Sequence, residues 1–253
     1  MKLRIILTIA AVCAAAFVPL PSANPSATSL PPSFVHFLGT TPLGQDVFRL
    51  CVAALARATF EALWASVLTA VVGTTIGLVA AARVGGLVDG VQALLSALLD
   101  TLGVFLLAAC LSTVLPRIDR WSMGIVLALL TWPHFSQVVR AEALAACRLE
   151  FVVAARALGG HRAHIFVRHI APVMLLRLLP HFFGSLTSFV AVFGALGFIG
   201  LGTSTELTLG YLVFDSLSFA RSTPWYAFSC FASFGLLLGL LASVLTWPVR
   251  HST

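Results

Sequence analysis

Apolar residues in this chain gather into long, nearly unbroken runs. They neither alternate, as in a half-buried strand, nor recur only every third or fourth position, as on a surface helix. The runs cover about 3–18, 62–82, 91–115, 122–139, 173–199 and 225–247. All but the first approach or exceed the roughly 20 residues that carry a helix across a bilayer. The pattern therefore predicts an all-α bundle of about six membrane helices. An amphipathic lead-in begins at Val47, where Arg57 and Glu61 sit four residues apart and can pair. Gly73 and Gly77, and again Gly235 and Gly239, form small-xxx-small patterns that let helix backbones approach closely. Pro133 lies inside the fourth run, where a bundle tolerates it.

Polar stretches separate the runs. Residues 19–33 are rich in Pro and Ser and read as an extended, solvated linker. With the first run they form an N-terminal unit, 1–33, of membrane anchor and external linker. A charged start, a short apolar core and small residues at 21–24 also fit a cleaved signal peptide. The anchor is favoured because it balances the topology. Residues 34–253 are then one transmembrane domain.

Composition agrees with a lipid environment. The chain is 59% hydrophobic and 9% charged, against about 25% charged in soluble domains. The net charge of +6 is nearly all arginine, scattered among apolar runs, so it reads as topology and not as a nucleic-acid footprint. With the N-terminus inside, the inner stretches hold Lys2, Arg4, Arg83, Arg140, Arg148, Arg156, Arg162, Arg168 and Arg250. The outer ones hold Arg49, Arg57, Arg117, Arg120 and Arg221. That excess places both termini and residues 140–170 in the cytoplasm. Lys2 is the only lysine, so a phosphate-binding P-loop is excluded. The five cysteines form no C-x-x-C pair and read as small hydrophobes, with no disulfide framework and no zinc site. His161, His164 and His169 read as part of a basic helix, because a metal needs more convergent ligands. No G-x-S-x-G or H-E-x-x-H suggests a membrane enzyme.

The long polar insertion, 140–170, contains EFVVAARALGGHRAHIFVRHI. Helix formers precede Gly159-Gly160, which must break the helix, and a second helical run leads to Pro172. The first helix carries Phe151, Val152, Ala154, Ala155 and Leu158. Such a surface needs a cover. A groove on a partner protein and the inner leaflet serve equally well on physical grounds. Asp100, about ten residues into the third run, is a candidate pathway residue. A structural hydrogen bond to a neighbouring helix is its slightly favoured reading.

The insertion resembles the EAA loop of ABC-importer permeases, and more narrowly the second permease of peptide/nickel-type importers. Ala154 to Gly159, Arg168, His169, Ile170 and Pro172 match that family's pattern. Val153 stands where the family has glutamate and Ala171 where it has leucine. The resemblance extends to LGTTPLGQDVF at 38–48, with Gln45 in place of arginine, to GGLVD at 85–89 and to ALGFIGLG at 195–202. It also covers Gly210 and Pro224-Trp225. The family carries an aspartate at the position of Ala97, one turn before Asp100.

The resemblance implies a type I ABC importer permease in a bacterial cytoplasmic membrane. It would pair with a second, homologous permease, with two cytoplasmic ATPases and with an extracytoplasmic substrate-binding protein. ATP and Mg would be bound by those partners, leaving no cofactor, metal or catalytic residue in this chain. Glu150, Phe151, Val152, Ala154, Ala155, Arg156, Leu158 and Gly159 would form the ATPase-coupling helix. Asp46, Gly210 and Trp225 would lie where the binding protein docks. The implied substrate is a di- or oligopeptide, with nickel or another metal chelate as the alternative. A membrane assembly subunit with no transport role is the reading from a different class.

Overall fold

A computed structural model describes residues 24–82, 87–114, 120–157, 166–201 and 208–246. The described residues are helical apart from turns and one isolated bridge, Thr40 to Asp46. Eight α-helices follow in order: α1 Val47–Ala82, α2 Leu87–Leu102, α3 Val104–Val114, α4 Arg120–Ala146, α5 Glu150–Ala157, α6 Ala171–Phe198, α7 Leu209–Ser218 and α8 Pro224–Thr246. The first expected run, 3–18, lies outside the described residues.

Two expectations need correction. The lead-in and the second run are one helix, α1, of 36 residues. At 1.5 Å per residue it is roughly 54 Å long, well beyond a hydrocarbon layer of about 30 Å. The third run is not one helix. Gly103 adopts φ +75° and its N–H closes onto Leu99 O at 3.0 Å, a left-handed ending that glycine permits without a Cβ clash. Beyond it the axis turns by 81° into α3.

Four helices, α1, α4, α6 and α8, are long and apolar enough to cross a membrane, and the bent α2–α3 pair makes a possible fifth. The packing of α1 on α4 decides that case. Trp64 meets Trp121 edge-on at 5.6 Å, Thr69 Oγ1 lies 3.2 Å from Thr131 Oγ1, and Gly73 and Gly77 face Phe135 and Val139. Residue numbers rise together on both helices, so α1 and α4 run parallel. The chain must therefore return across the bundle between them, and the α2–α3 pair is the return. Five crossings result. The glycine spacing supplies the closeness: a Cβ at Gly77 would lie 2.6 Å from Ser136 O. The Gly235 and Gly239 positions, by contrast, have nothing within 4 Å.

The core is three clusters stacked along the bundle. At the end where α5 hangs, Phe135, Val139, Ala143, Val152, Ile170 and Met174 pack together. The middle is filled by Ala65, Leu127, Leu186, Phe189, Val190 and Leu237. At the opposite end Leu50, Cys51, Leu212, Tyr226 and Cys230 meet. Outward-facing apolar side chains such as Leu94, Leu129 and Phe228 are exposed, as expected of a surface solvated by lipid tails.

Candidate functional site

The chain leaves α4 through a turn at Cys147, Arg148 and Leu149, then starts α5. Leu149 O accepts Val152 N–H at 2.9 Å and Val153 N–H at 3.1 Å, and Arg148 N–H donates to Ala145 O at 3.1 Å. Glu150 opens α5 and complements its N-terminal dipole. Val152 is 0% exposed, sealed under the helix by the Phe135–Met174 cluster, and Ala155 packs partly against the same cluster. Phe151 and Val153 point the other way, 47% and 53% exposed. The helix is thus pinned by one face and presents the other. Ala154 and Arg156 lie within α5. Leu158 and Gly159, with His161 and His164, lie outside the described residues.

The expected helix–turn–helix needs two changes. The helix formers 141–146 are the last turns of α4, cut from α5 by the turn at 147–149. Of the second run, residues 161–165 lie outside the described residues, and the described part, Phe166–Ile170, which contains Arg168 and His169, is a π-helical turn that feeds directly into α6.

Side chains around α5 tie its carrier, α4, to two neighbours. Arg140 meets Asp89 of α2 twice, Nε to Oδ1 at 2.6 Å and Nη2 to Oδ2 at 2.8 Å. Arg177 of α6 reaches Glu142 of α4 at 3.4 Å, in a more exposed setting. Further along the same stripe of α2, Gln137 Nε2 donates to Ser96 Oγ. Gln92, between Asp89 and Ser96 in helical register, is fully buried with neither amide atom hydrogen-bonded. Sequence reasoning missed this seam. Asp89 entered only within the GGLVD match at 85–89, and Arg140 only as a topological charge. The available signal was a carboxylate in the first turn of an apolar helix. Asp100 lies in α2, one turn beyond Ser96 and three residues before Gly103.

The opposite end is built differently. Asp46 caps α1, its Oδ1 accepting Arg49 N–H at 3.2 Å while Oδ2 lies 2.8 Å from His36 Nδ1. Thr40 is fully buried and its Oγ1 accepts Leu30 N–H at 2.8 Å. Ser29 N–H donates to Thr41 O. Residues 24–33, expected as a free linker, are therefore exposed yet tied to the 39–46 loop. Trp225 packs on Gly39: a Cβ there would lie 2.7 Å from the indole, so the 38–48 and 224–225 motifs meet. Gly210 is buried and lets α7 press onto α6, where a Cβ would strike Gly194 O. Of the three expected docking residues, Gly210 thus lies beneath the surface and Asp46 is engaged within the loop. The most exposed large side chains of the 33–46 stretch are Phe34, Val35, Phe37 and Leu43. Sequence reading passed over them as part of a short, turn-rich stretch.

Comparison with known proteins matches residues 73–250 to the family described as "Binding-protein-dependent transport system inner membrane component". The matched span includes α5, the Asp89–Arg140 pair and the crossings on either side. The dipeptide transport system permease protein DppC of Alkalihalophilus pseudofirmus is 30% identical over 224 residues, covering 86% of this chain and 71% of that protein. The oligopeptide transport system permease protein OppC of Bacillus subtilis is 27% identical over 213 residues, 81% of this chain and 68% of that one.

Proposed function

This chain belongs to the family of inner membrane components of binding-protein-dependent transport systems, and from that premise we propose that it is the permease subunit of an ATP-driven peptide importer. Two relatives named for dipeptide and oligopeptide transport support the peptide class. Neither of those names points to nickel or another metal chelate.

The observation that carries the coupling role is α5. It has a buried anchor, Val152, and exposed apolar side chains, Phe151 and Val153, beyond the end of α4. Apolar side chains on a helix of this kind suit a groove on a partner. In this reading the α5 end faces the cytoplasm, consistent with Arg140, Arg148, Arg168 and Arg177 lying toward it. Two cytoplasmic ATPases bind ATP and Mg, and one of them receives α5. The chain pairs with a second, homologous permease, and the substrate path runs between the two. The Asp46 end meets the substrate-binding protein, through Trp225 and the loop that carries Phe34 and Phe37. Asp100 contributes to the path or to the permease–permease contact. Both termini are cytoplasmic.

Closure of the ATPases would push α5, and the push passes along two routes. Val152 and Ala155 transmit it to the cluster on α4 and α6. The Arg140–Asp89 and Glu142–Arg177 pairs carry α2 and α6 with α4. The test is uptake of labelled di- and oligopeptides into proteoliposomes holding the purified assembly, with and without ATP and the binding protein. ATP-dependent peptide accumulation is expected. Accumulation of a nickel chelate without peptide uptake would replace the substrate class. ATP-independent behaviour in an assembly that contains its ATPases would overturn the coupling role.

A further inference from the structure

Cys51 and Cys230 lie on different helices, 179 positions apart in sequence, yet share one packed cluster at the Asp46 end. Both are buried, 3% and 2% exposed, and both are free thiols. Their side chains are hydrogen-bonded to each other, with Ser233 beside Cys51 and Ser216 beside Cys230. The α1 and α8 helices run parallel here: Cys51 faces Cys230 near their starts, while Ala62 and Ala65 share the middle cluster with Leu237. Two thiols that share a hydrogen bond and one packed cluster on neighbouring helices are placed to form a sulfur–sulfur bond of about 2 Å. The remaining described cysteines are elsewhere, Cys110 on the outward face of α3 and Cys147 in the turn before α5.

We propose that Cys51 and Cys230 are a redox-responsive pair whose disulfide staples α1 to α8 at the Asp46 end of the bundle. The reading of all five cysteines as inert hydrophobes is thereby replaced for these two. The oxidant is a small disulfide, the class able to reach thiols that are 3% and 2% exposed. One cysteine thiolate attacks the oxidant's disulfide, releasing one oxidant thiol and leaving a mixed disulfide. The second thiolate displaces the other oxidant thiol. The two cysteines lose two protons and two electrons, and the oxidant's disulfide becomes two thiols. The direction of the reaction in the cell rests on the proposed orientation, which turns this end to the extracytoplasmic, oxidising side; the thiol contact does not depend on it.

The test counts thiols in the full chain, in membranes and with its partners. Thiols are tagged with a maleimide polymer under denaturing conditions, before and after treatment of the intact membranes with diamide. Cys51–Cys230 linked peptides are then sought by mass spectrometry. Five tags are expected after reduction and three in the oxidised protein, with a monomer on a non-reducing gel. The C51S and C230S variants should each keep four tags under both conditions. A pair found closed on isolation, or closed only by diamide, supports the proposal. Five tags persisting after diamide, or a linked peptide that pairs either cysteine with Cys110 or Cys147, overturns it. The outcome is independent of peptide uptake, so failure of the transport reading would leave this result standing.

Discussion

The two ends of the bundle hold their helices by different chemistry. At the Asp46 end the ties are mostly hydrogen bonds to backbone, glycine contacts and aromatic packing, Thr40 on Leu30, Trp225 on Gly39 and Gly210 on Gly194, and its carboxylates take short-range partners, Asp46 with His36 and Asp215 with Tyr226. Such contacts are short, numerous and have no slack. At the α5 end long, charged side chains, Arg140 to Asp89 and Arg177 to Glu142, tie α2 and α6 to α4, beside one apolar cluster and the Gly73–Gly77 seam of α1 on α4. Ion pairs on flexible stems keep contact while helices shift by small amounts, whereas a glycine seam separates outright. The comparison assigns close packing to the Asp46 end and to the α1–α4 pair, and the longer, charged links to α2 and α6 at the α5 end. That is what a device receiving work at one end and presenting a docking surface at the other requires.

The comparison can be broken first at the glycine seam that joins α1 to α4 and runs into the α5 end. Gly77→Leu places a side chain where even a Cβ would be 2.6 Å from Ser136 O and 2.8 Å from Val139 Cβ. Overpacking of this kind costs about 1–3 kcal/mol or more, and against backbone the upper end applies. Loss of most of the folded protein from membranes is expected, measured by monodisperse recovery in detergent. Next comes Ala155→Arg, which drives a charged stem between α5 and its cluster. Uptake should fall by about tenfold or more, while the membrane-inserted amount stays near wild type.

Asp89→Asn should be smaller and should show as a loss of coupling. A half-buried paired carboxylate replaced by a neutral amide leaves Arg140 with one partner fewer, at about 1–3 kcal/mol. Peptide uptake per ATP hydrolysed should drop, and exchanging the two charges (Asp89→Arg with Arg140→Asp) should recover part of it. Equal loss of uptake and hydrolysis, with no recovery on exchange, would reduce the pair to a folding element. Least affected is Arg177→Gln. An exposed pair at 3.4 Å contributes under about 1 kcal/mol, and thermal inactivation in detergent should move by little.

Much of the bundle was legible in the sequence, because lipid imposes a simple code of one apolar run for each crossing. The crossings α4, α6 and α8 fall where the runs predicted, within a few residues apart from the C-terminal end of α4. The break at Gly103 was not legible. A glycine inside an apolar run is often tolerated in a helix, and only its observed φ of +75° distinguishes a terminator from a spacer. The union of 47–61 with the next run was hidden by Arg57 and Glu61, whose charge suggested a boundary; Glu61 is in fact buried. For the site, the positions of Phe151 to Ala155 on a short helix could be read from composition. Which of them anchors and which is presented depends on where α4 and α6 stand. Val152 and Val153 are chemically identical, yet one is sealed and the other half exposed. The Arg140–Asp89 pair joins residues 51 apart, a distance at which local pattern carries no information.

The central claim, that α5 seats in an ATPase, is tested most directly by site-specific crosslinking in the intact assembly. Single cysteines would replace Phe151, Val152 and Val153 in a chain whose native cysteines are serine, and be treated with a short thiol-to-amine crosslinker. Crosslinks from positions 151 and 153 to the ATP-binding subunit are predicted, changing in yield when ATP is trapped, with position 152 silent. Labelling of 151 and 153 by a lipid-borne probe instead, with no ATPase adduct in either nucleotide state, would contradict the account.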